Sequence, residues 1–507
     1  MKDFATDHLN IGIIGAGIMG RGIVQVAASA GLRVVLHDVD PAATADAVQF
    51  VHKMIDRAVE KGRMTADGAD SCKNNIQTTT DLTTFADTDL VIEAVVEKLE
   101  VKQPLFQQLE NIVGPDCILA TNTSSLSVTA VANAISSQGR VAGCHFFNPV
   151  PLMKLVEVIG GVRTGQSVVT QLCAFVKRIG HTPVAVADSP GFLVNHFGRG
   201  LNSEGLRVLF ERVAQAHEID AVVRDCIGLR MGPFELMDLT ALDVTCPVSE
   251  QIYAQFYQEP RLRPTPDLRQ RYVAGILGRK VGEGFYRYQD GNKIVPPEPA
   301  VPAVAVKAAF WVSSRVPELA ARLTALLTEA KLALDNSELP LPDSIALVTP
   351  LGKDATSAVL EEGLDPARCV AVDMLLHTDK RITIMGNPKT ERQVIDSVWA
   401  ALAGTGRAVT VIRDSTGFIA QRIVANIVNT ACEIAQLGIA APDAIDTGAR
   451  LGLGYPAGPL TMGDSIGSGV IMQILENMLA ASGDPRYRPS MWLRRRAALG
   501  LPLSYEQ

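Results

Sequence analysis

The residues with the clearest chemical potential form two groups. Gly15-x-Gly17-x-x-Gly20 closes a short apolar run and opens a stretch of helical spacing, and Asp38 stands at the end of the next apolar run. Such a turn needs Gly15 for its tightness, Gly17 so that an anion can reach the backbone, and Gly20 so that helix and strand pack closely. The helix N-terminus then offers unpaired N–H groups and a partial positive charge to a pyrophosphate. Asp38 can accept hydrogen bonds from ribose hydroxyls, and its charge repels a 2′-phosphate, which favours NAD over NADP. The second group is His145 with Glu157 twelve residues further on. A histidine side chain titrates at about 6.5 and can take a proton at neutral pH. A carboxylate on its other ring nitrogen would fix the tautomer, and a base so placed contributes about 10²–10⁴ in rate.

Three segments carry more specific information. Ala120-Thr-Asn-Thr-Ser-Ser-Leu126 ends one apolar run, His145-Phe-Phe-Asn-Pro-Val-Pro-Leu-Met-Lys-Leu-Val-Glu157 follows another, and Asp188-Ser-Pro-Gly-Phe-Leu-Val-Asn195 opens a helical region. With the glycine turn they closely resemble the L-3-hydroxyacyl-CoA dehydrogenase family of β-oxidation. The resemblance runs in order over residues 9–290 and takes in Gly232-Pro-Phe-Glu235 and Lys280-Val-Gly-Glu-Gly-Phe-Tyr286. It implies oxidation of a (3S)-3-hydroxyacyl-CoA to the 3-oxoacyl-CoA with NAD as cofactor. His145 matches the family's catalytic base, Glu157 its acidic partner, and Ser124 and Asn195 the polar residues that hold the reacting oxygen. Asp38, Glu97, Lys102, Ser124, Asn148 and Lys280 match positions used around NAD, alongside Gly15, Gly17, Ile18, Met19 and Gly20 of the turn. The helical stretch 41–75 matches a hairpin that helps cover CoA. Lys53 and Lys61 there are candidate phosphate contacts, or simply solvated surface lysines. Ser124 could equally cap a helix, since it lies in a Ser/Thr cluster after a strand.

These residues need a parallel sheet to hold them. Apolar runs at 9–14, 33–36, 90–92, 118–120, 141–143 and 184–186 read as buried strands alternating with helical stretches, the βαβ pattern. After residue 188 the periodicity becomes helical. Asp188-Ser-Pro-Gly-Phe192 recurs later in the chain as Asp414-Ser-Thr-Gly-Phe418, and Gly232-Pro233 and Asp238 recur as Gly458-Pro459 and Asp464 at the same offset. Repeated matches at one offset indicate a duplication. The expected fold is therefore an α/β Rossmann-like NAD domain over 1–187 and an all-α domain over 188–290. A Pro-rich linker with helices follows over 291–340, then a truncated Rossmann-like segment over 341–413 and a second, degenerate all-α copy over 414–507.

The second copy lacks the chemistry. No GxGxxG precedes it, Asn195 aligns with Gln421, and the span 372–384 holds no His–Glu pair at the right spacing. His377 reads as a surface or structural histidine. The fused copy is expected to be structural, either supplying within one chain the contact through which many members of the family dimerise or completing the first copy's substrate pocket, so that the protein is a homodimer or a pseudo-dimeric monomer through its helical domains. The long form resembles the bacterial enzymes of phenylacetate breakdown, whose substrate is 3-hydroxyadipyl-CoA. A 3-hydroxybutyryl-CoA or general fatty-acid enzyme, a dehydrogenase of free hydroxy acids, and a non-catalytic NAD-binding protein are the alternatives. For a substrate ending in a carboxylate, Arg199, Arg207 and Arg230 are candidate acyl-pocket cations.

Bulk properties agree. Hydrophobic residues make up 47% of the 507, charged residues 20%, and the net charge is −7. That balance argues against nucleic acid or an anionic membrane as partner. No apolar run is long enough to span a membrane, and nothing at the N-terminus reads as a signal peptide, so a cytoplasmic protein is expected. The eight cysteines are scattered without zinc spacing, which reads as buried free thiols and no metal.

Overall fold

The computed structural model describes residues 2–506. They form two compact units. The first takes the chain up to His196 and also residues 437–453, and the second takes 197–436 and the chain from 454 onward.

The first unit is built on eight strands: β1 (Asn10–Ile14), β2 (Arg33–His37), β3 (Ile76–Thr79), β4 (Leu90–Glu93), β5 (Ile118–Thr121), β6 (Val141–Phe146), β7 (Leu155–Gly160) and β8 (Thr182–Ala187). Their order is β3-β2-β1-β4-β5-β6-β7-β8. All neighbours are parallel except β6 and β7. β1, β4, β5 and β6 are buried almost throughout, as strands covered on both faces must be. The chain order reverses between β1 and β4, so their C-terminal ends open a crevice, the usual ligand position in such sheets. Helix Ile18–Ser29 follows β1 at that crevice. The stretch 41–75 folds as two helices, Pro41–Glu60 and Ala66–Asn74, started by side-chain caps from Asp40 and Thr65. Two strands escaped the sequence reading. β3 is a short polar run at the sheet edge, and β7 begins within the last residues of the His–Glu segment, just after prolines at 149 and 151 that obscure it.

The second unit is mostly helical, with Arg199–Phe210 and Ala420–Gln436 at its centre. Glu204 is buried between them and accepts from Arg422 and from the Tyr487 hydroxyl; Arg422 also donates to Glu211 and Ser415. A small hairpin, β9 (Arg287–Gln289) and β10 (Asn292–Ile294), precedes the Pro-rich stretch.

This unit carries its own sheet: β11 (Phe310–Val312), β12 (Ile345–Val348), β13 (Cys369–Val372), β14 (Arg381–Gly386) and β15 (Ala408–Ile412), in sequential order. Only β13 and β14 are antiparallel. The sheet repeats β4 to β8 strand for strand and lacks counterparts of β1 to β3. Its first strand, β11, lies within the span expected to be linker, because three residues are too few to show a period. Among the described residues no helix is long and apolar enough to cross a membrane. All eight cysteines are free and seven are buried.

Candidate active site

The glycine turn has the shape that its sequence demands. Gly15 has φ +103°, and a Cβ there would stand 2.5 Å from the carbonyl oxygen of Ala94, at the end of β4. A Cβ on Gly20 would stand 1.7 Å from the Gly15 carbonyl oxygen. A Cβ on Gly17 would meet nothing within 4 Å. Gly17 therefore opens onto empty space at a helix N-terminus, where a pyrophosphate would be received. Asp38 receives the Ala16 N–H at 2.8 Å and the Asp40 N–H at 3.1 Å, which holds its carboxylate at the mouth of the crevice. A groove of about 540 Å³ runs past Gly15, Gly17 and Asp38 and is walled by Val39, Leu82, Val96 and Leu105. An apolar slot ending on a carboxylate fits an adenine with its ribose. Ile18 is exposed and Met19 half-buried beside the turn.

Beyond the switch point, Glu97 organises the turn after β5. One of its oxygens accepts from the Thr123 hydroxyl (2.6 Å), the Ser124 N–H (2.8 Å) and the Ser125 N–H (3.0 Å). Burial opposes its charge, but the Thr123 hydroxyl, Lys102 and these N–H groups hold its pKa below the ordinary carboxylate range. Lys102 is itself buried, 2.6 Å from Glu93 and 3.4 Å from Glu97. Glu93 also receives Thr121 Oγ1 and the Val95 N–H. Sequence reading missed Glu93. Its only signal was a carboxylate closing an apolar strand.

His145 and Glu157 face each other directly across the β6–β7 ladder. His145 Nδ1 lies 2.5 Å from Glu157 Oε2. The other oxygen, Oε1, accepts the N–H groups of Leu193 (3.0 Å) and Val194 (2.8 Å). Both side chains are buried, and the imidazole lies against the rings of Phe147 and Phe192. A carboxylate at that distance makes Nδ1 the donor, so Nε2 is the nitrogen left to accept a proton. Asn195, one residue past the Glu157 clamp, donates from Nδ2 to the Ser124 carbonyl at 3.4 Å. Asn122, also unforeseen, accepts the Phe146 N–H and ties the end of β5 to β6. The unit thus brings together Ser124, His145, Glu157 and Asn195, with Asn148 exposed two residues after the end of β6.

The remaining residues singled out from the sequence stand on other elements. Lys280 is in the second unit, paired with Asp243. Lys53 and Lys61 are exposed on and just after helix Pro41–Glu60. Arg199 is buried on Ser249, Arg207 pairs with Glu211, and Arg230 is exposed.

The second sheet shows what became of the equivalent position. At the offset of the repeat, Thr383 stands on β14 where Glu157 stands on β7, and the Asp373 N–H donates to the Thr383 carbonyl. The β13–β14 register is two residues out of step with β6–β7, so Asp373 takes the place opposite Thr383 that His145 takes opposite Glu157. Gln421, in the place of Asn195, donates to Asp373 and to the Pro350 carbonyl and accepts the Gly352 N–H. His377 is exposed in the loop that follows β13.

A crevice shaped for a dinucleotide and a buried, carboxylate-oriented histidine beside two polar side chains define an NAD-dependent dehydrogenase of a secondary alcohol. The comparisons with known proteins give the family. The profile of the 3-hydroxyacyl-CoA dehydrogenase NAD-binding domain matches residues 10–189, and that of the family's C-terminal domain matches 191–288 and again 417–502. The chain belongs to the 3-hydroxyacyl-CoA dehydrogenases and uses NAD. It is 36% identical to a 3-hydroxyadipyl-CoA dehydrogenase of Escherichia coli over 96% of this chain and 97% of the relative. A probable 3-hydroxybutyryl-CoA dehydrogenase of Deinococcus radiodurans is 41% identical over its whole length, which is 55% of this chain. A crystal structure described as 3-hydroxybutyryl-CoA dehydrogenase of Escherichia coli K12 superposes with a TM-score of 0.85 at 36% identity, covering 99% of this chain and all of the other.

Proposed function

We propose that His145 is the general base of this dehydrogenase and that its substrate is a (3S)-3-hydroxyacyl-CoA whose acyl chain ends in a carboxylate, 3-hydroxyadipyl-CoA. The His145–Glu157 hydrogen bond, with the far oxygen of Glu157 filled by two backbone N–H groups, carries the first part. With Nδ1–H engaged, Nε2 takes the proton from the C3 hydroxyl, and Glu157 stabilises the imidazolium that results. NAD, when bound, supplies the acceptor for the C3 hydride. Ser124 and Asn195 donate to the C3 oxygen, steady it as it becomes a carbonyl, and fix the face of C3 presented. Asp38 selects the unphosphorylated ribose.

The chain-length reading rests on the relative that matches nearly the whole chain, including the second helical copy. Lys53 and Lys61 remain the candidate contacts to CoA phosphates, and Lys280 to the cofactor. The protein works in the cytoplasm, with the fused helical copy standing where a separate subunit would. The deciding experiment compares kcat/KM for 3-hydroxyadipyl-, 3-hydroxybutyryl- and longer 3-hydroxyacyl-CoA with NAD and with NADP. A charge-assisted contact to the terminal carboxylate is worth about 1.5–3 kcal/mol, so the adipyl substrate should lead by about tenfold or more. A lead for 3-hydroxybutyryl-CoA would transfer the assignment to the short-chain substrate. Turnover of free hydroxy acids alone would overturn it.

A further inference from the structure

The first compact unit contains one element from the far end of the chain. Residues 437–453, from the second helical copy, belong to it. The Ala187 N–H, at the end of edge strand β8, donates to the Ile439 carbonyl at 2.8 Å. Helix Pro442–Leu453 follows, with Pro442, Ile445, Gly448 and Ala449 buried on one face. Gly448 and Gly452 are its points of closest approach. A Cβ on Gly448 would stand 2.8 Å from Cδ2 of Leu193, and a Cβ on Gly452 would stand 3.0 Å from both Leu155 Cδ2 and Val194 Cγ2. Leu193 and Val194 are the residues whose N–H groups hold Glu157, and Leu155 begins the strand that carries it.

The second unit mirrors this exchange. The Arg413 N–H donates to the Val213 carbonyl at 3.0 Å, and these two residues are the repeat counterparts of Ala187 and Ile439. There the first copy's helix Ala216–Val222, with the π-helical turn Val223–Ile227 that continues it, packs on the second sheet through the Cys226 carbonyl and thiol, bonded to the His377 N–H and the Arg381 carbonyl. At the same offset, Gly448 corresponds to Val222 and Gly452 to Cys226. The glycines stand only where the opposing turn has a carboxylate to hold.

We infer that helix Pro442–Leu453 is a brace for the first site, with Gly448 and Gly452 as positioning residues: by seating the Leu193–Val194 turn they keep its N–H groups on Glu157 and so keep His145 aimed. Glu157 would otherwise depend on a turn that leaves the sheet immediately after its last strand. The inference rests on the proposed role of the His145–Glu157 pair. It also gives the second helical copy a task at an active site that it does not itself contain.

The test uses the full-length chain, NAD and 3-hydroxybutyryl-CoA. Gly448→Val and Gly452→Val should lower kcat by between about ten- and a hundredfold, the scale of a small misplacement propagated to a reacting group. KM for NAD should stay within about twofold, since the glycine turn is untouched. The acid limb of kcat should move to lower pH, the direction set by Glu157→Gln, because in both cases the imidazolium loses its carboxylate. Gly448→Ala is the milder variant should the valine variants fail to fold. Adding Leu193→Ala to it, which removes the colliding methyl group, should recover most of the lost kcat. Lower melting temperatures with kcat and its pH profile unchanged would reduce the helix to scaffold and overturn the inference. Wild-type kcat in Glu157→Gln would instead overturn the reading of the pair on which it stands.

Discussion

The two sheets of this protein offer an internal experiment. β4 to β8 and β11 to β15 share strand order and the same single antiparallel pairing, yet one carries the His145–Glu157 pair beside a glycine turn and the other carries neither. Two changes separate them. The second sheet has no counterpart of β1 to β3, and so neither a glycine turn nor an acid at Asp38. It also has Asp373 and Thr383 where the first has His145 and Glu157, with Gln421 in the place of Asn195. A buried acid–amide contact, Gln421 Nε2 to Asp373 Oδ1 at 3.0 Å, stands where the first sheet has its histidine–carboxylate pair. Strand topology is therefore cheap to repeat, while the chemistry depends on a few side chains held at one register.

The comparison can be broken most directly at the two histidines. His145→Gln should cost about 10²–10⁴ in kcat with NAD affinity intact, while His377→Ala, on an exposed loop, should leave steady-state kinetics unchanged. Loss of turnover in His377→Ala would mean that the second copy is not inert. Next in size, Glu157→Gln should lower kcat by about 10- to 100-fold, on the scale of a charge-assisted hydrogen bond. Its counterpart Asp373→Ala should leave kcat alone but take from Gln421 Nε2 one of its two acceptors, leaving only the Pro350 carbonyl, at a cost of about 1–3 kcal/mol in denaturant unfolding.

A smaller change is expected at Asp38. Asp38→Ser should reduce the preference for NAD over NADP by about tenfold, the loss of one charged contact, with no change at any position of the second sheet. The smallest effect concerns pH. The pKa of Glu97 is lowered in the folded chain, so its stabilising contribution is complete above the ordinary carboxylate range and is lost as pH falls through its depressed value. Thermal melts across that window should show a steeper acid-side loss for the wild type than for Glu97→Gln. Parallel curves would remove Glu97 as the clamp of the Ser124 turn.

Much of this was legible in the residues themselves. The glycine turn follows from spacing, because backbone contact with an anion and close helix packing leave little choice of residue. The His–Glu segment and the repeat at a fixed offset are likewise one-dimensional patterns. Less legible were β3, β7 and β11, which are short, polar or preceded closely by prolines. Glu93 was also hidden, since its importance comes from Lys102, Thr121 and Val95, which fold around it. The register slip that sets Asp373 opposite Thr383 is invisible at a fixed offset, since β-pairing is chosen by the ladder and not by counting.

By itself the sequence determined the residues available for chemistry: a glycine turn of dinucleotide-binding spacing, one histidine with one carboxylate twelve residues on, and a duplication that copied neither. Tertiary structure alone decided which copy's helix supports which sheet. Helix Pro442–Leu453 lies against β7 and β8 of the first unit, and its counterpart Ala216–Val222 lies in the second. Each helix buries part of its surface, and an apolar face specifies only that it must be buried. What buries it is settled by shape, here by two glycines that let a helix approach Leu193 and Val194 closely enough to brace the turn that holds Glu157.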